Sequence, residues 1–151
     1  PELRWLGVDI SRAALKVARE NARRQEVAER IAFFQGDLLG GVGMAPRFGL
    51  IVANLPYVRR REWEQLPTEI RDYEPHEALL GGEDGLALIR PLCRQAHQYL
   101  RPGGWLALEV GAGQAGRVVE LLDDTEAYDT LKTVNDYQGI PRVVLARRGM
   151  N

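Results

Sequence analysis

Short apolar runs that alternate with longer helical patterns are the feature that most constrains the fold of this chain. Helices are predicted over residues 11–27, 84–100 and 113–122, with a short one near 61–66. Strands are predicted over residues 3–10, 31–35, 48–53, 105–110, 130–134 and 142–146. This alternation is typical of βαβ units and of an α/β domain with a mostly parallel sheet. The chain has 151 residues and no visible repeat or linker, so we expect a single domain.

Charge and cysteine content exclude several classes of protein. Twenty basic and 21 acidic side chains leave a net charge of −1, which excludes a strongly basic nucleic-acid binder, and we expect no direct nucleic-acid binding. The single cysteine, Cys93, cannot form an internal disulfide, and no Cys/His spacing suggests zinc, so we expect no metal. No apolar run approaches the ~18 residues of a membrane span. We therefore expect a soluble protein of the cytoplasm that does not bind membranes.

Three polar residues stand where predicted strands end: Asp9, Asp37 and Asn54. Ligands of open α/β sheets bind beyond the carboxyl ends of the strands, and an acidic residue there typically accepts from ribose hydroxyls. A strand-ending aspartate is equally common as a helix cap or turn residue, and both interpretations of Asp9 and Asp37 stay open on the residues alone.

The stretch Asn54-Leu55-Pro56-Tyr57, called the tetrad below, is more informative. An asparagine side-chain carbonyl and a nearby backbone carbonyl, stiffened by proline, form two convergent acceptors for a planar NH2 group, and an aromatic ring can stack on its face. Such acceptors hold a weakly nucleophilic nitrogen in line with an electrophilic methyl group and stabilise its developing positive charge. The alternative is a plain Asn-x-Pro turn between strands.

The tetrad is similar to the [Asn/Asp/Ser]-Pro-Pro-[Tyr/Phe] signature of amino-methyltransferases that use S-adenosylmethionine (SAM). Nearly the whole chain resembles one branch of these enzymes, the release factor glutamine methyltransferases. The resemblance is carried by Val8-Asp9-Ile10-Ser11 with Ala14-Leu15, Ala18 and Asn21-Ala22, by Tyr73-Glu74-Pro75-His76-Glu77-Ala78-Leu79-Leu80-Gly81-Gly82-Glu83-Asp84-Gly85-Leu86, by Leu100-Arg101-Pro102-Gly103-Gly104-Trp105-Leu106-Ala107-Leu108-Glu109-Val110-Gly111, by Gln114 and by Gly139-Ile140-Pro141-Arg142-Val143-Val144.

The resemblance implies a Rossmann-like class I fold and SAM-dependent N5-methylation of the glutamine in the Gly-Gly-Gln motif of peptide-chain release factors. Asn54 and the Leu55 carbonyl would hold the target amide, Pro56 would fix the loop, and Tyr57 would pack on the amide plane.

The same resemblance assigns the cofactor contacts. Asp9 would bind the SAM ribose and Asp37-Leu38 the adenine, while Asn54 would also touch the cofactor.

Two features depart from the family pattern. Leu55 replaces the first proline of the signature, which keeps the carbonyl but leaves the loop less preorganised. The glycine-rich SAM loop has no match, and neither has the amino-terminal helical domain. The family sheet has the strand order 3-2-1-4-5-7-6, and the six strands predicted here begin with the second. We therefore expect residues 1–151 to be the C-terminal part of a methyltransferase catalytic domain, with two unpaired strand edges where strand 1 belongs.

Two other functions remain open at this point. One is an adenine-N6 methyltransferase acting on RNA or DNA after base flipping. The other is an inactive fragment that binds a partner. Outside the tetrad, we expect Arg59-Arg60-Arg61 to form a solvated loop, Cys93 to be a core residue, and Glu109 to cap the loop at Gly111.

Overall fold

The computed structural model describes residues 3–43 and 48–150, in two compact units that divide after Gly43. The first unit is one βαβ arrangement. Its elements are β1 (Trp5–Asp9), α1 (Arg12–Arg24), a short 3-10 helix (Ala28–Arg30) and β2 (Ile31–Gln35).

The second unit contains the remaining four strands and four α-helices. Its elements are β3 (Phe48–Ala53), a 3-10 helix (Arg60–Gln65), α2 (Thr68–Tyr73), α3 (His76–Leu79), α4 (Ile89–Tyr99), β4 (Leu100–Glu109), α5 (Ala115–Asp123), β5 (Tyr128–Asn135) and β6 (Pro141–Arg148). The expected short helix near 61–66 is present as the 3-10 helix, and two short helices follow it in a segment expected to be irregular.

Within each unit, the strand order agrees with the corresponding part of the order that the resemblance implies. β1 and β2 pair in parallel in the first unit. The second unit has the order β3-β4-β6-β5, with β3 and β4 parallel and both pairings of β6 antiparallel. If β1 to β6 are numbered as strands 2 to 7 of the family, the order is 3-2 in the first unit and 4-5-7-6 in the second. Among the described residues, β1 pairs with β2 alone and β3 pairs with β4 alone.

Apolar side chains are exposed on the two strands with open edges. Trp5 in β1 is 49% exposed, and Val52 in β3 is 65% exposed.

Helix α1 begins where the sequence predicts it. The Ser11 hydroxyl accepts from the Ala14 N–H at 3.2 Å, which satisfies one of the free donors of the first turn. Leu15 and Ala22 lie on its buried face. The helix ends at Arg24, three residues before the predicted end.

The core of the second unit is formed by α4 and α5 against the sheet. Its most buried side chains are Ile89, Leu92, Cys93, Ala96, Leu100, Leu106, Leu108, Val110, Val118, Leu122, Val144 and Ala146. Cys93 is fully buried, which confirms its prediction as a core residue.

Helix α4 begins later than predicted. It starts at Ile89, not at Asp84, which places Pro91 in the first turn instead of the helix interior. Because the N–H groups of the first turn have no partner within the helix, proline is tolerated at this position. The Asp84 carboxylate instead accepts from the Leu86 N–H at 3.1 Å and closes a turn before the helix.

Within the described ranges, no helix is both long and apolar enough to cross a membrane.

Candidate functional site

The tetrad lies directly beyond the carboxyl end of β3, as the sequence predicts. Asn54 is exposed, and its side chain is hydrogen-bonded to none of the described residues. The Leu55 carbonyl likewise accepts from no donor in the described part of the chain. Both acceptors that the signature assigns to the target nitrogen are therefore available to a ligand.

The chain immediately after these two acceptors is held firmly. The Val58 N–H donates to the Leu79 carbonyl at 2.9 Å, and the Val58 carbonyl accepts from the Gly81 N–H at 2.8 Å. The Arg60 N–H donates to the Gly82 carbonyl at 3.0 Å. These bonds attach the exit of the tetrad to residues 79–82, which come from the Glu-Pro to Gly-Gly stretch quoted above.

Two glycines of that stretch allow the backbones to approach closely. A Cβ on Gly81 would lie 2.5 Å from the Pro56 carbonyl oxygen. A Cβ on Gly85 would lie 2.3 Å from the Tyr57 carbonyl oxygen, and Gly85 has a φ of +77° that side-chain-bearing residues rarely adopt. Packing against the tetrad therefore explains the first and last glycines of the Gly-Gly-x-Asp-Gly pattern.

Gln114 approaches the tetrad from the start of α5. Gln114 is almost completely buried, with 3% of the residue exposed. Its Oε1 accepts from the Gly111 N–H at 2.8 Å, and its Nε2 donates to the Tyr57 carbonyl at 2.9 Å. Gln114 is not among the predicted site residues, although it belongs to the motifs that carry the family resemblance.

Tyr57 is also held at its ring. Its hydroxyl donates to Glu109 Oε1 at 3.3 Å, so Glu109 contacts the tetrad and does not cap the loop at Gly111 as expected. Burial raises the pKa of the Tyr57 hydroxyl, and the Glu109 carboxylate raises it further, while Arg142 opposes both. The ring therefore stays neutral well into the alkaline range.

The arginines after the tetrad are mostly paired. Arg59 forms an ion pair with Glu62 at 3.2 Å, and Arg60 with Glu83 at 2.5 Å. The Arg60 and Glu83 side chains are largely exposed, as predicted for a solvated segment, but Arg60 begins the 3-10 helix and does not lie in a loop. Arg61 lines two open cavities of about 460 and 340 Å³, the second of which also borders Gln114.

The predicted cofactor residues lie at the carboxyl ends of β1 and β2. Asp9 is opposite Gln35 in the parallel ladder, and the Gly36 N–H donates to the Asp9 carbonyl at 3.1 Å, so the two strand ends meet at one edge. Asp37 is exposed and follows directly. Leu38 has a φ of +51°, a left-handed conformation that is uncommon for a bulky residue and is concentrated at functional sites.

Asp9 also has the turn contact that the sequence left open. Its Oδ1 accepts from the Ser11 N–H at 2.7 Å, just before α1. Asp9 is exposed and its second carboxylate oxygen has no hydrogen bond to a described residue, so one oxygen holds the loop while the other faces outward. Both interpretations of Asp9 are thus compatible.

The first comparison with known proteins is at the level of sequence. The family model for an RMKL-like methyltransferase domain matches residues 1–69. The chain is 38% identical over 148 residues to a release factor glutamine methyltransferase of Koribacter versatilis, covering 98% of this chain and 51% of that protein. It is 42% identical over 149 residues to a release factor glutamine methyltransferase of Geobacter sulfurreducens, and the match covers 99% of this chain and 51% of that protein. The chain spans about half the length of the curated relatives it matches.

Solved structures show the same fold. A methyltransferase from Pyrococcus furiosus superposes with a TM-score of 0.69 at 17% identity, covering 97% of this chain and 63% of that one. An RNA methyltransferase from Salinibacter ruber in complex with S-adenosyl-L-homocysteine superposes with a TM-score of 0.54 at 19% identity. The superposition covers 98% of this chain and 67% of that one. The chain therefore has the Rossmann-like fold of class I methyltransferases.

Proposed function

We propose that this chain, a sequence relative of the release factor glutamine methyltransferases, carries the substrate-holding site of a SAM-dependent enzyme that N5-methylates a protein glutamine. Its substrate is the Gly-Gly-Gln motif of peptide-chain release factors, and its place of action is the cytoplasm. The observation that carries the proposal is the pair of available acceptors at the end of β3, Asn54 Oδ1 and the Leu55 carbonyl, followed by a firmly bonded backbone.

The two acceptors suit an amide nitrogen in particular. A glutamine NH2 group has two hydrogens in one plane, and one acceptor for each hydrogen fixes both its position and its orientation. The nitrogen lone pair is delocalised into the carbonyl, so the nitrogen reacts only when it is held in line with the methyl donor. The same acceptors stabilise the positive charge that develops on the nitrogen.

Tyr57 completes the site in this proposal. Its ring packs against the plane of the amide, and its hydroxyl bond to Glu109 fixes the rotation of the ring. Pro56 restricts the backbone between the Leu55 carbonyl and Tyr57. Substrate orientation therefore depends on a short, stiff segment and not on a flexible loop.

Residues of the first unit fit the cofactor. When bound, SAM supplies an electrophilic methyl group. The outward-facing Asp9 oxygen is an acceptor suited to ribose hydroxyls, and the exposed Asp37 carboxylate is an acceptor suited to the adenine amino group, with the Leu38 turn beside it. Asn54 would contact both substrate and cofactor.

Strand order supports a further part of the proposal, namely the domain assignment. The first unit has the order 3-2 and the second has the order 4-5-7-6, each read within its own unit, and these are the parts of the family order that exclude strand 1. We propose that residues 1–151 form the part of a catalytic domain that follows its first βα unit.

The test offers the protein radiolabelled SAM together with a release factor, a release factor with its Gly-Gly-Gln glutamine replaced by alanine, or ribosomal RNA. We expect label on the first substrate alone, at the glutamine side chain as mapped by mass spectrometry. Label on RNA, or on the release factor lacking that glutamine, would overturn the proposal.

A further inference from the structure

We propose that Gln114 is a positioning residue, whose buried amide sets the Tyr57 carbonyl and through it the acceptors of the tetrad. This inference rests on the proposed function and adds a residue outside the signature to the same site.

The hydrogen bonds of Gln114 determine which way its amide faces. Oε1 accepts from the Gly111 N–H at 2.8 Å, and Nε2 donates to the Tyr57 carbonyl at 2.9 Å, with a longer contact of 3.5 Å to the Asp84 carbonyl. If the amide were flipped, Nε2 would face the Gly111 N–H and Oε1 would face the Tyr57 carbonyl. Donor would then meet donor on one side, and acceptor would meet acceptor on the other. Only a side chain with one acceptor end and one donor end satisfies both neighbours in this buried position.

The Tyr57 carbonyl has Gln114 as its hydrogen-bond donor, and no other donor reaches it in the residues the structure describes. Tyr57 is two positions after Leu55, and Pro56 between them has a restricted φ. Because Pro56 fixes one of the backbone torsions between the two carbonyls, we expect a displacement of the Tyr57 carbonyl to be transmitted in part to the Leu55 carbonyl.

Crowding around the Gln114 amide shows that its placement is tight. A Cβ on Gly85 would lie 2.2 Å from Gln114 Nε2, and one on Gly111 would lie 2.9 Å from Gln114 Oε1. Three backbone segments, at Tyr57, at residues 84–85 and at Gly111, therefore meet at one amide. The amide is attached to α5, which packs against α4, β5 and β6 and provides a rigid base.

The principal variant is Gln114→Glu, which retains size and shape. Its ionised carboxylate still accepts from Gly111 but presents an oxygen to the Tyr57 carbonyl, so the donor is lost and a repulsion is introduced. We expect kcat for release factor methylation to fall about 10- to 100-fold, as misplacement of a reacting group does. The Kd for SAM should change less than two-fold.

The matched control is Val118→Ala, on the buried face of the same helix. Removing two methyl groups from the core lowers Tm without altering a hydrogen bond to the tetrad, so kcat should stay near that of the wild type. An equal loss of kcat in both variants would show that Gln114 serves stability only and would overturn the inference.

A pH profile provides a signature that a structural role lacks. Burial raises the pKa of a glutamate at position 114, and its protonated form regains an O–H donor for the Tyr57 carbonyl. The ratio of kcat for Gln114→Glu to kcat for the wild type should therefore rise as pH is lowered from 8 to 6. A constant or falling ratio would contradict the inference.

Hydrogen exchange separates this inference from the proposed function. Loss of the Gln114 donor should accelerate exchange of the Val58 and Arg60 amides, whereas Val118→Ala should leave their protection relative to the rest of the unit unchanged. Accelerated exchange in a protein that fails to methylate release factors would support the positioning role and reject the proposed function. Wild-type exchange together with wild-type kcat in Gln114→Glu would reject the positioning role alone.

Discussion

The hydroxyl of Tyr57 donates to the Glu109 carboxylate at 3.3 Å, which joins the last residue of the tetrad to the last residue of β4. β4 is the parallel neighbour of β3, so the two residues extend from adjacent strand ends. Strand pairing thus determines not only where the tetrad begins but also how its aromatic ring is oriented.

We predict that Tyr57 and Glu109 are energetically coupled. Tyr57→Phe removes the hydroxyl donor, and Glu109→Gln weakens the acceptor. The double variant should lose less unfolding free energy than the sum of the losses in the two single variants. The coupling free energy should be about 0.5–1.5 kcal/mol for a partly exposed hydrogen bond. Urea unfolding of the four proteins measures it, and a coupling of zero would show that the contact contributes nothing to the orientation of the ring.

Local signals predicted the elements that depend on neighbouring residues. Ser11 was predicted to cap α1 because a cap needs only the next three residues, and the hydroxyl does bond the Ala14 amide. The tetrad was predicted at a strand end because an apolar run precedes it and Pro56 stops the strand. The predicted start of α4 is wrong. Aspartate is a common helix-capping residue, but the Asp84 carboxylate closes a turn five residues before the helix begins at Ile89.

Contacts between distant residues were beyond sequence reasoning. Gln114 meets Tyr57 across 57 positions, and Glu109 meets it across 52, so no periodicity or spacing connects them. Residues 68–79 form two short helices whose lengths of six and four residues are too small to give a periodic pattern. Such features arise from tertiary contacts that the local pattern does not contain.

Replacing Asp9 tests the cofactor assignment. Asp9→Ala removes a charged acceptor and should weaken SAM binding by about 1.5–3 kcal/mol, or roughly ten- to a hundred-fold in Kd. Isothermal calorimetry measures the affinity directly. An unchanged Kd would remove Asp9 from the cofactor site.

Ser11→Ala is the control for the contact that Asp9 makes at the start of α1. It removes the bond to the Ala14 amide and should lower the unfolding free energy by about 1 kcal/mol. Because Ser11 is not assigned to the cofactor, its Kd for SAM should match the wild type. Equal losses of affinity in both variants would mean that the start of α1, and not the Asp9 carboxylate, determines binding.

Cys93 should make stability depend on pH above neutrality. Burial raises the pKa of its thiol to about 12, whereas an unfolded cysteine titrates at about 8.5. Between these values the unfolded chain has lost a proton that the folded chain keeps, so the unfolding free energy falls as pH rises. From pH 9 to 10 it should fall by up to about 1.4 kcal/mol more in the wild type than in Cys93→Ala. Parallel pH profiles from denaturant titrations would contradict the assignment.

Leu55→Pro restores the first proline of the signature and should be tolerated. The Leu55 N–H donates to no acceptor in the described ranges, and Asn54 follows a strand, so proline removes no bond and suits the preceding backbone. Stability should change by less than about 1 kcal/mol and kcat should be equal or higher. The control Leu50→Pro lies inside β3 opposite Trp105, where proline is unfavourable in a paired strand, and it should lower stability more than Leu55→Pro does. Thermal unfolding and methylation rates distinguish the two variants.

Asn54→Ala tests the mechanism itself. Because Asn54 is exposed and bonds none of the described residues, the substitution should change the unfolding free energy by no more than about 0.5 kcal/mol. Turnover should fall by about 10²–10³, since the glutamine amide loses one of two fixed acceptors and rotates away from the methyl donor. The Kd for SAM should change less than kcat does. Asn135→Ala, the same replacement at the exposed end of β5, should leave turnover unaltered. Release factor methylation at the wild-type rate by Asn54→Ala would mean that the tetrad is only a turn.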